Sequence, residues 1–114
     1  MRKALAVAAL IAWTPAEAQD IGPLTKAVFN NMALSYWCRN EIGEAHYSAA
    51  RTIATDVLSK HIGQSEAVLA VDRMDRQMKE DPRTENPTAN AAQCHTMKSD
   101  AMHAISVEQA KLGD

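Results

Sequence analysis

The chain has 114 residues, with twelve Lys and Arg against fourteen Asp and Glu and a formal net charge of −2. That length permits one domain with one modest core. Mild acidity with both signs interspersed lacks the basic stripe that nucleic acid or an anionic membrane surface would require, so neither is expected as a partner.

In chain order, Arg2 and Lys3 give a positive start, residues 4–13 an apolar run, Thr14-Pro15 a break, and Ala16-Glu17-Ala18 a small-x-small cleavage pattern. The apolar run is about ten residues, against the roughly 20 needed to cross a bilayer. Residues 1–18 are therefore expected to be a signal peptide cleaved after Ala18, and residues 19–114 a single helical domain in the periplasm. Two cysteines, Cys38 and Cys94, then meet an oxidising compartment, where an even count implies one disulfide. Two buried thiols are the alternative reading.

Helical periodicity recurs along the rest of the chain and strand alternation does not. The first segment opens at Gly22-Pro23, since proline suits a first helical turn. Leu24, Val28, Met32 and Tyr36 form its face, widened by Phe29, Ala33 and Trp37, and Gly43 ends it. Tyr36 and Trp37 read as core, or as partner anchors if exposed. The second segment carries Ala45, Ala49, Ile53 and Val57, flanked by Ala50, Ala54 and Leu58, and closes at Gly63. The third starts near Ser65 as N-cap, with Val68, Val71, Met74 and Met78 inward and Asp72, Arg73, Asp75, Arg76, Lys79 and Glu80 outward. Pro82 ends it by disfavouring helical geometry at Asp81. The fourth begins at Asn90, whose spacing to Gln93 fits a capping box, and turns Cys94, Met97, Ala101, Ile105 and Leu112 inward.

Four helices on short connections predict an all-α, up-down antiparallel four-helix bundle with one disulfide. Up-down topology puts the end of the first helix and the start of the fourth at one pole, where Cys38 and Cys94 fall. Asp81-Pro82-Arg83-Thr84-Glu85-Asn86-Pro87-Thr88-Ala89 holds two prolines and no large apolar residue. It is either a semi-rigid projecting element or a plain connector.

Catalytic chemistry finds little support. Cys94 and His95 are adjacent, and adjacent helical residues do not face each other. A bridged cysteine also supplies no thiolate. His46, His61, His95 and His103 show no HxxxH or HExxH spacing, and Asp100 with His103 makes only two ligands, so no metal and no cofactor are expected. Alanine at position 91 removes the first anchor of a haem-attachment motif. The chain reads as a binding or structural protein and not as an enzyme.

Two stretches carry a resemblance. Ala33-Leu34-Ser35-Tyr36-Trp37-Cys38 is an apolar-aromatic run ending in cysteine, and Cys94-His95-Thr96-Met97-Lys98-Ser99-Asp100-Ala101-Met102 places a serine five after cysteine and a large apolar residue three later. Together with the exported, all-helical pattern they resemble the immunity proteins that neutralise type VI secretion amidase effectors in the periplasm. The resemblance implies a homodimer that plugs the cognate amidase toxin with a loop between helices. Here that loop would be Asp81–Ala89, with Asp81, Arg83, Thr84, Glu85 and Asn86 as contacts and the third helix, through Asp75 and Lys79, as flanking surface. Ser35-Tyr36-Trp37-Cys38 and Gln93-Cys94 also resemble periplasmic acid-stress chaperones of the HdeA type, the alternative function.

Overall fold

A computed structural model describes residues 20–84 and 88–113, every element of which is helical. The expected signal peptide, residues 1–18, lies outside the described residues. Helix α1 is Gly22–Trp37, α2 is the short Arg39–Ile42, α3 is Ala45–Ile62, α4 is Gln64–Glu80 and α5 is Ala91–Leu112, with a 3-10 turn at Pro82–Thr84 between the last two.

The four long helices run up, down, up and down. Arg51 meets Asp72 across α3 and α4 at 2.8 Å, Tyr36 meets Tyr47 across α1 and α3, and Lys98 meets Ser35 across α5 and α1 at 2.8 Å. The all-α bundle expected from the periodicity is thus the observed fold. Helix α1 is its axis: it packs against α3 on one side and α5 on the other, α4 packs mainly on α3, and α5 rests on α1 and α2.

Helix boundaries follow local chemistry. Asp20 accepts the Gly22 N–H at 2.8 Å, satisfying one of the donors left open at the start of α1. The first helix does not run on to Gly43 as expected but ends at Trp37. There Cys38 leaves helical geometry (φ −92°, ψ 8°), and its carbonyl accepts the N–H groups of Glu41 and Ile42, starting α2 in a new direction. Gly43 ends α2 and Gly63 separates α3 from α4, with φ of +99° and +89°, values that disfavour any side chain. Gly63, not Ser65, is therefore the N-cap of α4. The capping box of α5 is as expected: Asn90 Oδ1 accepts the Gln93 N–H at 2.8 Å and Gln93 Oε1 accepts the Asn90 N–H at 2.9 Å.

The core gathers Leu24, Val28, Met32 and Tyr36 from α1, Ala50, Ala54, Val57 and Leu58 from α3, and Ala67, Val71 and Met78 from α4. Burying each large aliphatic side chain among them contributes about 1.5–3 kcal/mol. Two inner faces are rotated from the expected ones. In α3 the buried stripe includes Tyr47, while Ala45 and Ala49 face water. In α4 Ala67, Val71, Asp75 and Met78 are inward and Val68 is exposed. In the seam between the two helices the Tyr47 hydroxyl donates to the Asp75 carboxylate, so a charged residue is buried there with a partner. On α5 only Cys94 and Ile105 are fully buried, with Met97, Ala101 and Leu112 half-buried.

Candidate partner-binding pole

The ends of α1 and α4 and the starts of α3 and α5 share one pole, and the Cys38–Cys94 disulfide closes it, with a Cα–Cα distance of 6.1 Å and both cysteines fully buried. The bridge spans 56 residues of sequence. On the chain-entropy account, closing such a loop stabilises the fold by roughly 4 kcal/mol.

The irregular segment begins at this pole with a built turn. Asp81 is extended (φ −89°, ψ 113°), as expected before Pro82. Its carboxylate accepts the backbone N–H of Arg83 at 2.9 Å, the guanidinium Nε at 3.0 Å and Nη2 at 2.7 Å. The Arg83 hydrogen bonds pull the Asp81 carboxyl down to about 2, so the pair stays ionised across the physiological range. Arg83 is exposed and Asp81 half-buried, and their bonds pre-set the direction of the chain. Shallow depressions lie on both flanks. Ala33, Leu34 and Trp37 line one with Arg83, and Ala92, Gln93, Thr96 and Met97 line the other with Thr88 and Ala89.

The expected contact residues divide accordingly. Asp81 and Arg83 are joined in the turn, and Thr84 closes its 3-10 helix. Glu85 and Asn86 lie outside the described residues. Lys79 is half-exposed and reaches back to Asp75 at 3.0 Å. Asp75 itself is only 9% exposed, with its carboxylate bonded to Tyr47 and Lys79, so it holds α3 to α4 and presents little to a partner. Tyr36 is buried, with its ring edge-on to Tyr47 at 5.0 Å and the Arg39 guanidinium 4.0 Å over its face. Trp37 is half-buried beside the segment.

Two buried polar groups had no place in the sequence reading. Burial pushes the Tyr47 hydroxyl above its ordinary range, and donation to Asp75 adds to this. Burial likewise pushes Asp75 up, but the Tyr47 and Lys79 hydrogen bonds outweigh it and hold the carboxyl below its usual value. The second group joins α1 to α5. Lys98 Nζ donates to Asn31 Oδ1 and Ser35 Oγ, both at 2.8 Å, and Asn31 and Ser35 are 0% exposed. Burial lowers the Lys98 ammonium below the ordinary lysine range. The signal for it was present: Asn31 and Ser35 are four apart on α1, and Lys98 falls on the Cys94-Ala101-Ile105 stripe of α5.

The fold also brings His46 and His95 together, with ring centroids 5.9 Å apart and ring planes at 74°. Among the described residues, no group of three or more His, Cys, Asp or Glu converges as a metal cage. No described helix is long and apolar enough to cross a membrane.

No protein-family model, curated protein or solved structure matches the chain. The geometry of the pole therefore carries the functional reading.

Proposed function

We propose that this chain is a non-catalytic periplasmic binding protein that presents residues 81–89 to a protein cleft, acting as an immunity protein against a peptidoglycan amidase effector of type VI secretion. The observation that carries the reading is the fastening of this segment. Asp81 clamps Arg83 at its entrance, and the capping box and disulfide fix its exit at Asn90 and Cys94. A segment whose two ends are fixed before binding loses less conformational freedom there when it docks, which favours affinity. The two flanking depressions offer apolar side chains, Trp37 and Met97 among them, to the rim of a cleft. Lys79 and Arg76 extend the polar surface along α4.

A homodimer belongs to the same proposal. The large apolar side chains left exposed, Ile62, Val68, Leu69 and Val107, lie toward the opposite pole. A second copy docking there leaves the disulfide pole open to the toxin.

The reading expects a cysteine-histidine amidase to be encoded beside this chain, and the test is a titration against that enzyme at neutral pH. The intact protein is expected to bind with nanomolar affinity. Deletion of Thr84 to Pro87 should weaken binding by orders of magnitude with helical content unchanged. Unchanged affinity after the deletion would remove the loop from the interface.

A further inference from the structure

We propose that His46 and His95 form a two-imidazole site for a divalent transition-metal ion, with Cu(II) preferred over Ni(II) and Zn(II). This goes beyond the immunity reading and does not depend on it.

The two residues are 49 positions apart in the chain and meet only because α3 and α5 both begin at the disulfide pole. A metal bound at about 2 Å from one nitrogen of each imidazole lies roughly 3 Å from each ring centroid, which sets the two centroids on the order of 5–6 Å apart. The observed separation of 5.9 Å falls in that range, and the edge-on rings would have to turn until one nitrogen of each faces a common ion. Both rings start from fixed backbone. His95 follows Cys94, which is held by the bridge, and His46 sits in the first turn of α3. His95 is exposed and His46 half-buried, so an ion there keeps water in its remaining positions. Imidazole ligands with open positions suit the borderline metals, and affinity among them peaks at Cu(II).

The experiment titrates Cu(II) into the disulfide-bonded protein at pH 7.4 against a competing chelator, with electron paramagnetic resonance as a second readout. The expected result is a one-to-one site with nitrogen hyperfine structure from two imidazoles. His46→Gln and His95→Gln should each weaken binding at least tenfold and change that spectrum, while the paired variant His61→Gln/His103→Gln keeps both. Circular dichroism checks that each variant is folded, which surface substitutions should preserve. A loss smaller than tenfold in either single variant, or an equal loss in the His61/His103 control, overturns the site and leaves an ordinary ring contact.

Discussion

Tyr47→Phe tests the most consequential polar contact in the core. The substitution keeps the ring, and with it the edge contact to Tyr36 and the volume between α1 and α3, but removes the hydroxyl that donates to Asp75. Asp75 then remains buried with Lys79 as its nearby cation. A hydrogen bond to a charged group contributes about 1.5–3 kcal/mol in mutational series, so the variant should be about 2 kcal/mol less stable at neutral pH. For a domain of this size that corresponds to a fall in Tm on the order of 10 °C. The pH dependence gives the sharper criterion. Asp75 has its folded-state value depressed, so its contribution is present above the unfolded value of about 3.9 and is lost as pH falls through the folded value. Without the hydroxyl, burial acts against a weaker opposition and the carboxyl rises. The stability curves of the two proteins should therefore separate at neutral pH and converge in acid. Urea unfolding followed by circular dichroism at a series of pH values measures this. A penalty below about 0.5 kcal/mol, or one constant from neutral pH to pH 3, would refute the assignment of Tyr47–Asp75 as a charge-assisted bond that sets the register of α3 on α4.

Lys98→Met addresses the other buried polar group. Because burial lowers Lys98 in the folded state, the unfolded chain holds that proton more tightly, and wild-type stability should rise with pH between the depressed value and about 10.4. The variant should lose that rise in urea titrations from pH 7 to 10, and an unchanged slope would count against a desolvated ammonium. Cys38→Ala/Cys94→Ala should cost roughly 4 kcal/mol on the loop-entropy account; a loss under about 1 kcal/mol in the same assay would show that the reduced chain is already constrained.

The fold was legible because its signals are local. Apolar spacing, Pro23, Pro82, Gly43, Gly63 and the Asn90–Gln93 box each act within a few residues, and together they mark the four long helices and their up-down order, though not the short helix Arg39–Ile42. The pairing of Cys38 with Cys94 followed from there being two cysteines, and it agrees with that order. What stayed hidden depends on contacts between helices distant in sequence. Asp75 reads as one more charge on a solvated face until Tyr47 of α3 is opposite it and bonds its carboxylate. Asn31 and Ser35 read as neutral breaks in α1 until Lys98 is seen to join them. Of the candidate site, the turn at Asp81 and Arg83 was foreseeable from Asp-Pro-Arg, whereas the meeting of His46 with His95 was not.

These buried polar groups also distinguish the seam that the disulfide closes from the others. The contact of α1 with α3 and α4 is largely apolar, through Leu24, Val28, Met32, Leu58 and Val71. The contact of α1 with α5 is different in kind. Next to the bridge it carries the Asn31–Ser35–Lys98 group, and α5 buries only Cys94 and Ile105 completely along 22 residues. A seam of that composition gains little from desolvation, since a buried ammonium opposes part of what the apolar groups contribute. The covalent link joins this more polar seam at the end where the irregular segment enters α5. One flank of that segment, at Ala33, Leu34 and Trp37, belongs to α1, and the other, at Ala92, Thr96 and Met97, belongs to α5. The bridge joins the two helices that carry these flanks, so a protein that recognises both flanks is expected to prefer the oxidised form.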